Sequence, residues 1–386
     1  MKTSRRLFLF FLLVVLFTLT DGKAGHADSP KKDYFAFAGT YTAKTQSKGI
    51  YAFRYDAGAG KLTPVGVAAE TPDPSFVAIH PSGKYLYAVN ESGKASMVTS
   101  FALDAKTGKL TQLNQASALG EDPCYITFDQ SGKYVLVANY TSGNIAVFPI
   151  LADGKLGEKT ALVQDTGKLG PNKERQEGPH AHWIETSADN RFALAADLGL
   201  DEILIFQFDA AEGKLGPHMP PSVSLKPGSG PRHAAFSPNG KFLFVVNELA
   251  STASGFSYDA KKGALKQINS VSTLPPGFSG RNDVAEVAVH PNGRFLYVSN
   301  RGNDSIAVLG IDVKKGTLTP IGGVPTGGKE PRHFTFDPSG NFLFVENQLS
   351  DTIVAFHVDA NSGQLTPTGD SLSVPSPVCL KFVPVQ

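Results

Sequence analysis

Among the residues from 182 to 332, five have side chains that are the principal candidates for acid–base or anion-binding chemistry: His182, Arg232, Glu248, Arg301 and Arg332. Glutamate and histidine can transfer protons, and burial or a neighbouring charge tunes their pKa values. The planar guanidinium of arginine binds a carboxylate or a phosphate through two parallel hydrogen bonds. Together these side chains would suit an anionic substrate that carries a carbonyl group, provided that the fold brings them to one place.

A repeat of about fifty residues indicates that fold. An apolar strand, a turn resembling PSGK, a second strand and an asparagine recur as FVAIHPSGKYLYAVN, YITFDQSGKYVLVAN, HAAFSPNGKFLFVVN, VAVHPNGRFLYVSN and FTFDPSGNFLFVEN, with a weaker copy, HWIETSADNRFALAAD. The aromatic residue after each turn is the anchor for alignment, at Tyr85, Tyr134, Phe192, Phe242, Phe295 and Phe342. Each unit continues with an alternating segment and a turn of the Gly-Lys-Leu type that opens a further strand. Four short strands per repeat of this length indicate a β-propeller blade.

Six repeats are complete, and a seventh is split between the two ends of the chain. YFAFAGTY, GIYAFRYD and KLTPVGVA lie at the start, and PVCLKFVPV lies at the end. A C-terminal strand that pairs with the N-terminal strands would close the ring and remove its open edges. We therefore predict an all-β, seven-bladed propeller with four-stranded blades, formed by residues 28–386 as a single domain. A β-solenoid is the alternative, and the split repeat argues against it.

Antiparallel pairing places the start of strand 1 and the end of strand 2 of each blade at one mouth of the central channel. Five residues after the anchor stands an asparagine, or once an aspartate, and this regularity indicates a structural role. The residues six after and ten before the anchor vary, and variation on one face of a repeated scaffold is typical of a grafted site. These positions contain His182, Arg232, Glu248, Arg301 and Arg332, so we predict that the five side chains meet at this mouth.

Secondary candidates for substrate binding are Arg175, His180, His233, Glu286, Arg332 and His333. Arg175 belongs to an insertion, GKLGPNKERQEGPHAH, that could form a lid or rim. His180 and His182 have the alternating spacing of a metal pair on a strand, but no supporting ligand lies near them in sequence. We expect no metal and no organic cofactor. A simpler reading of Arg232 and Glu248 stays open, namely a structural ion pair between strands 1 and 2.

The composition argues against several classes of protein. Lys and Arg number 36 against 35 Asp and Glu, and this net charge of +1 gives no electrostatic footprint for nucleic acid. The two cysteines, Cys124 and Cys379, provide no disulfide framework, and we predict that both are small buried residues. His80 and His290 lie at the far end of strand 1 and are predicted to be surface residues. No GxSxG, Walker or HExxH motif is present in the sequence.

The N-terminus has the pattern of an export signal. Three basic residues precede the apolar run LFLFFLLVVLF, and Gly25 and Ala27 then suit a cleavage site. The run is too short to span a bilayer comfortably, although an uncleaved N-terminal anchor is the alternative. We predict a signal peptide over 1–27 and a periplasmic or secreted mature protein with no stable membrane span.

The chain resembles the seven-bladed propeller lactonases, which include bacterial 6-phosphogluconolactonases and have the fungal carboxymuconate lactonizing enzyme as a relative. The matching segments are GTYT at 39–42, ERQEGPHAH at 174–182, PRHAAFSPNGKFLFVVNEL at 231–249 and AEVAVHPNGRFLYVSNRGNDSI at 285–306. The muconate relatives use a histidine, two arginines and a glutamate in the central cleft. The resemblance places these roles at His182, Arg232, Glu248 and Arg301.

The resemblance implies hydrolysis of a sugar-acid lactone, of the 6-phosphogluconolactone type, by a monomer that binds a small anionic lactone. Glu248 or His182 would be the general base for water, Arg232 would stabilise the oxyanion, and Arg301 and Arg332 would hold an anionic substituent. Because sugar phosphates are cytosolic, the export signal favours an unphosphorylated aldonolactone. Two other functions stay open: cycloisomerisation of a muconate, with Glu248 protonating carbon, and a non-catalytic propeller that binds a partner.

Overall fold

The computed structural model describes residues 33–385, which form seven four-stranded antiparallel sheets. The predicted signal peptide, and residues 28–32 of the predicted domain, lie outside the described residues. Two short 3₁₀ segments, Gly93–Ala95 and Gln348–Ser350, are the only helical turns within 33–385. No helix in this range is long and apolar enough to cross a membrane. The predicted all-β propeller with seven blades is confirmed.

The seven sheets are numbered here as blades 1 to 7 along the chain. Blade 1 contains β4 (Val77–Ile79), β5 (Tyr85–Asn90), β6 (Met97–Leu103) and β7 (Leu110–Ser117), and blade 2 contains β8 (Pro123–Phe128), β9 (Tyr134–Asn139), β10 (Asn144–Pro149) and β11 (Ala161–Gln164). Blade 3 contains β12 (Ala181–Thr186), β13 (Phe192–Asp197), β14 (Glu202–Asp209) and β15 (Lys214–Ser224), and blade 4 contains β16 (Pro231–Phe236), β17 (Phe242–Asn247), β18 (Thr252–Asp259) and β19 (Ala264–Ser272). Blade 5 contains β20 (Asp283–Val289), β21 (Phe295–Arg301), β22 (Ser305–Ile311) and β23 (Leu318–Pro325), and blade 6 contains β24 (Pro331–Phe336), β25 (Phe342–Asn347), β26 (Thr352–Val358) and β27 (Leu365–Ser373). Blade 7 contains β28 (Pro377–Pro384), β1 (Tyr34–Thr40), β2 (Gly49–Asp56) and β3 (Lys61–Glu70).

The last strand closes the ring, as the split repeat predicted. β28 pairs antiparallel with β1 in a register that joins Phe35 to Val383 and Ala38 to Leu380. Blade 7 therefore draws its first strand from one end of the chain and its other three strands from the opposite end. This pairing removes the open edge that a linear stack of blades would expose.

The turn between strands 1 and 2 explains the glycine of the PSGK repeat. Gly132 and Gly240 in this turn have φ values of 69° and 65°, a left-handed conformation that glycine adopts without steric penalty. In the weaker copy Asn190 takes this position with a φ of 60°, and asparagine is one of the residues that tolerates it. The copy is weak in sequence, but its backbone is the same.

A glycine in the Gly-Lys-Leu type of turn explains why an aromatic residue recurs at the anchor position. At each of the seven blade interfaces an aromatic ring packs against a glycine in an outer turn of the next blade, where an added β-carbon would overlap the ring; the pairs are Phe35–Gly108, Tyr85–Gly154, Tyr134–Gly213, Phe192–Gly263, Phe242–Gly316, Phe295–Gly363 and Phe342–Gly60. The glycine of the Gly-Lys-Leu turn is thus the partner of the preceding blade's aromatic anchor. Seven equivalent contacts make the ring a succession of similar interfaces.

The prediction that His290 is a surface residue is wrong. His290 is buried, and its Nε2 lies 3.0 Å from the carbonyl oxygen of Gly340 in the next blade. The half-buried His80 makes the equivalent contact, at 2.8 Å, with Gly132. These histidines join neighbouring blades through the same turn that contains the left-handed glycine, and a sequence position beside a turn proline does not reveal that contact.

Candidate active site

The five principal candidates lie at one mouth of the channel, as their positions six residues after or ten residues before an anchor predicted. His182, Arg232 and Arg332 are each the second residue of the first strand of their blade, in β12, β16 and β24. Glu248 directly follows β17, and Arg301 is the last residue of β21. The first strands of blades 3, 4 and 6 and the second strands of blades 4 and 5 thus position these side chains.

Glu248 is the centre of this group, because three arginines surround its carboxylate. Its Oε1 lies 2.5 Å from Nη2 of Arg175, and its Oε2 lies 2.9 Å from Nε of Arg232 and 3.1 Å from Nη2 of Arg301. Burial alone would raise the pKa of Glu248, but the charges of Arg301, Arg232 and Arg175 outweigh burial and lower that pKa to about 2. Glu248 is therefore an ionised anchor for the guanidiniums.

Arg232 is held at the mouth by its backbone and charged neighbours. It is buried, and its Nη1 donates a hydrogen bond of 2.8 Å to the carbonyl oxygen of Ala285. Its Nε is close to Glu248 but forms no directed hydrogen bond, so that contact is an ion pair only. Burial, followed by the charge of Arg301, lowers the pKa of Arg232 to about 10. Asp283 lies 3.6 Å from Arg175 and Glu330 lies 3.8 Å from Arg301, whereas Glu248 is the one carboxylate paired with Arg232 in the described chain. Because Arg232 shares Glu248 with two other arginines, its positive charge is available to an incoming oxyanion.

His182 is buried beside this cluster and contacts a residue that the sequence analysis did not connect with it. Its Nδ1 lies 3.4 Å from Sγ of Cys124 in the preceding blade. Burial, followed by the charge of Arg232, holds the pKa of His182 well below its usual range, so the imidazole is neutral at neutral pH. Cys124 and Cys379 are both free and buried, as predicted. Cys124 is more than a packing residue, however, because it holds one nitrogen of the candidate base.

Arg175 and His180 define the rim on this side. The insertion carries Arg175 into the cluster, where its guanidinium also lies 3.6 Å from Asp283. His180 stacks on the ring of Tyr140 at 4.5 Å between centroids, and its Nε2 lies 3.2 Å from Glu177. The Tyr140 ring also contacts His182 edge to face, at 5.4 Å between centroids, so the two histidines share an aromatic neighbour but differ in their polar contacts, Glu177 for His180 and Cys124 for His182. Among residues 33–385 no group of three or more His, Cys, Asp and Glu side chains is placed to bind a metal ion.

His233, Glu286 and His333 lie one residue deeper along the first strands than the mouth positions, and form its floor. Nδ1 of His233 lies 3.1 Å from Glu286, and Nδ1 of His333 lies 2.6 Å from the fully buried Glu346. Lys381 of β28 approaches His333 at 3.4 Å. Burial lowers the pKa of His233 to about 4 and that of His333 to about 3, despite the opposing charge of Glu286. The sequence analysis did not identify Glu346 or Lys381.

The opposite wall of the mouth contains Tyr41, Glu91 and Arg332. The Tyr41 hydroxyl donates a hydrogen bond of 2.8 Å to Oε2 of Glu91, and the Arg332 guanidinium lies over the Tyr41 ring at 5.2 Å. These three residues line both a narrow central cavity, which they share with Cys124 and Arg232, and an open cleft of about 720 Å³. Glu91 occupies the same alignment position as Glu248, which is the signal that could have identified it.

The fold and this arrangement of side chains are consistent with the known proteins that this chain resembles. The sequence pattern of the family described as "Lactonase, 7-bladed beta-propeller" matches residues 35–382. The chain belongs to this lactonase family. The lactonase is 36% identical over 351 residues to the 6-phosphogluconolactonase of Bacillus subtilis. This match covers 91% of this chain and 98% of the relative. It is 34% identical over 309 residues to a 6-phosphogluconolactonase of Formosa agariphila, and this match covers 78% of this chain and 86% of the relative.

A solved structure gives the same assignment. The periplasmic gluconolactonase of Pseudomonas aeruginosa matches this lactonase with a TM-score of 0.86 and 34% identity, over 92% of this chain and 100% of that one. Because the whole propeller is shared at this level of identity, lactone hydrolysis is the activity of this chain, and the enzyme is a hydrolase.

Proposed function

We propose that this lactonase opens an aldonolactone by water attack, with His182 as the general base and Arg232 as the oxyanion site. The observation that carries this proposal is the neutral, buried imidazole of His182 beside a cluster of three guanidiniums around one carboxylate. Preorganised positive charge lowers the energy of the tetrahedral oxyanion more than that of the uncharged ester. Arg301 and Arg175 supply the remaining positive charge.

His182 suits the role of base better than Glu248 does. The ion pairs that lower the pKa of Glu248 to about 2 also make its carboxylate a weak proton acceptor. Glu248 instead orients the guanidiniums. The imidazole of His182 has a lone pair at neutral pH, and the negative charge that develops on the substrate stabilises the imidazolium as it forms. The contact between Nδ1 and Cys124 leaves Nε2 for the attacking water.

The substrate proposed here is an unphosphorylated aldonolactone. The relatives are named for 6-phosphogluconolactone and the structural neighbour for gluconolactone, so both belong to the test. The open cleft beside the mouth is lined by the carboxylates of Asp73 and Asp351, by the Glu91 carboxyl and by two cations, Lys44 and Arg332. With no excess of cations, this lining suits hydroxyl groups better than a phosphate dianion.

Acid release from gluconolactone and from 6-phosphogluconolactone, followed by pH-stat, tests this proposal. We expect acceleration above spontaneous opening, greater for gluconolactone, and a loss of about a hundredfold or more in His182→Gln and Arg232→Ala. His357→Gln is the matched control, because His357 is exposed on β26. A folded wild-type protein that accelerates neither lactone, or a His182→Gln variant with full turnover, would refute the proposal.

We further propose that the protein is exported through residues 1–27 and acts as a monomer. The support is the sequence pattern of the N-terminus and the likeness to a periplasmic enzyme. N-terminal sequencing of the exported protein should begin at Asp28, and light scattering should give the mass of one chain. A cell-associated product that begins at residue 1, or a dimer mass, would contradict these two statements respectively.

A further inference from the structure

Hydrolysis of an alkyl lactone needs a second proton transfer, besides the one that activates the attacking water. When the tetrahedral intermediate collapses, the ring oxygen leaves as an alkoxide and must acquire a proton. Among residues close to Glu248, the guanidiniums of Arg175, Arg232 and Arg301 remain charged and bound to a carboxylate. Apart from the imidazolium formed at His182, a donor for the ring oxygen has to be a neutral acid elsewhere on the cavity wall.

We propose that Glu91 is this general acid. It lines the narrow cavity together with Cys124 and Arg232, so it faces the space next to the proposed oxyanion site. Within residues 33–385 it has no ion pair, in contrast to Glu248, which has three. Its Oε2 accepts the Tyr41 hydrogen bond, which leaves Oε1 to hold a proton. The Ser75 hydroxyl lies beside the Glu91 carboxyl in the same cavity wall.

Burial supports the protonated form of Glu91. Burial raises the pKa of Glu91 and outweighs the charge of Arg332 and the hydrogen bonds from Ser75 and Tyr41, which lower it. Burial also raises the pKa of Tyr41, and that of the Cys124 thiol well above its usual range, so both keep their protons. The mouth thus contains a histidine with a lowered pKa and a glutamate with a raised one. Opposite pKa shifts in two groups of one site are the pattern that distinguishes a base from an acid.

The two groups complete a balanced reaction. His182 takes a proton from water as the water oxygen bonds to the carbonyl carbon, and Arg232 binds the resulting oxyanion. The bond from that carbon to the ring oxygen then breaks, and Glu91 gives its proton to the ring oxygen. The product is a hydroxy acid, and exchange with solvent returns His182 and Glu91 to their starting states. Since Glu91 also borders the open cleft, the substituent on the leaving oxygen extends into that cleft.

Two lactones with different leaving groups test this role, which rests on the proposed hydrolysis. Gluconolactone releases an alkoxide, whereas dihydrocoumarin releases a phenolate whose conjugate acid has a pKa near that of tyrosine, about 10. Glu91→Gln should lower kcat on gluconolactone about a hundredfold and kcat on dihydrocoumarin less than about fivefold. His182→Gln should lose both activities. Glu121→Gln is the control, because Glu121 is similarly half-buried and borders neither cavity described here.

A pH profile of the activity is a second test of the role of Glu91, because a substitution that affects only the structure would not change the shape of this profile. The activity of the wild type on gluconolactone should fall as the pH rises through the pKa of Glu91, because the acid then loses its proton. This limb should be absent from the residual activity of Glu91→Gln. Equal losses on both lactones, or an unchanged limb in the variant, would overturn the role of Glu91 while leaving hydrolysis intact. If the wild type does not open gluconolactone, the proposed hydrolysis fails first and the role of Glu91 falls with it.

Discussion

Replacing Glu248 by glutamine should destabilise the protein strongly, and by an amount that depends on pH. The three surrounding arginines lower the pKa of Glu248 from 4.5 to about 2. At about 1.4 kcal/mol for each tenfold change in proton affinity, this difference corresponds to about 3 kcal/mol of folding free energy. Glu248 is buried, so solvent screening reduces this value little.

The sign of the pH effect follows from the lowered pKa. A carboxyl whose pKa is lower in the folded state stabilises the fold fully above its unfolded value, near 4.5, and loses that contribution as the pH falls towards 2. We therefore expect Glu248→Gln to lose about 3 kcal/mol at pH 7 and only about 1 kcal/mol at pH 3. Denaturant titrations of both proteins at these two pH values measure the difference.

The matched control is Glu330→Gln. Glu330 lies 3.8 Å from Arg301, but it is partly exposed and has this single cation within range. Exposed ion pairs contribute about 1 kcal/mol or less, so this variant should remain close to the wild type. Equal stability of Glu248→Gln and the wild type at pH 7, or a deficit that does not shrink at pH 3, would refute the reasoning.

Three further variants test other parts of the structure. Gly263→Ala should lower the free energy of unfolding by about 2 kcal/mol or more in denaturant titration, because the added β-carbon would overlap Phe192. The control Gly277→Ala has a similar positive φ but open space around it, and should lower that free energy by about 1 kcal/mol. Equal losses in the two variants would contradict the interface contact. Glu346→Gln should change stability by less than about 1 kcal/mol, because burial raises the pKa of Glu346 well above its usual range and keeps it neutral; a loss near 3 kcal/mol would show that it is ionised. Cys124→Ala should lower kcat on gluconolactone about tenfold with an unchanged KM, because Nδ1 of His182 loses its partner, and Cys124→Ser should restore it; a changed KM, or no effect, would contradict that role.

The fold could be predicted because each blade repeats the same sequence pattern. The anchor, the turn glycine and the alternating strands recur at fixed spacing, and each anchor is the first residue of a second strand in the structure. The split repeat likewise fixed the ring closure by β28. The alignment of blades also brought Arg232 and Glu248 to one mouth, since position within a repeat determines the end of the channel at which a side chain lies.

The partners of those side chains could not be predicted in the same way. Repeat position does not give the distance between blades, so the contact of His182 with Cys124 and that of Glu91 with Tyr41 appeared only in the structure. Tyr41 was missed because the aromatic anchor of the split blade, Phe35, follows no PSGK-like turn in the sequence and was not aligned with the others. His290 was wrongly placed at the surface because its burial depends on the next blade's turn.

The crystal structure of the His182→Gln variant with bound gluconolactone tests the central claim most directly. The account predicts the lactone in the open cleft of about 720 Å³, with its carbonyl oxygen reaching the narrow cavity about 3 Å from the Arg232 guanidinium and its ring oxygen facing Glu91. A lactone bound elsewhere, for instance in the apolar groove lined by Leu274, after β19, and Val324 of β23, would contradict the account.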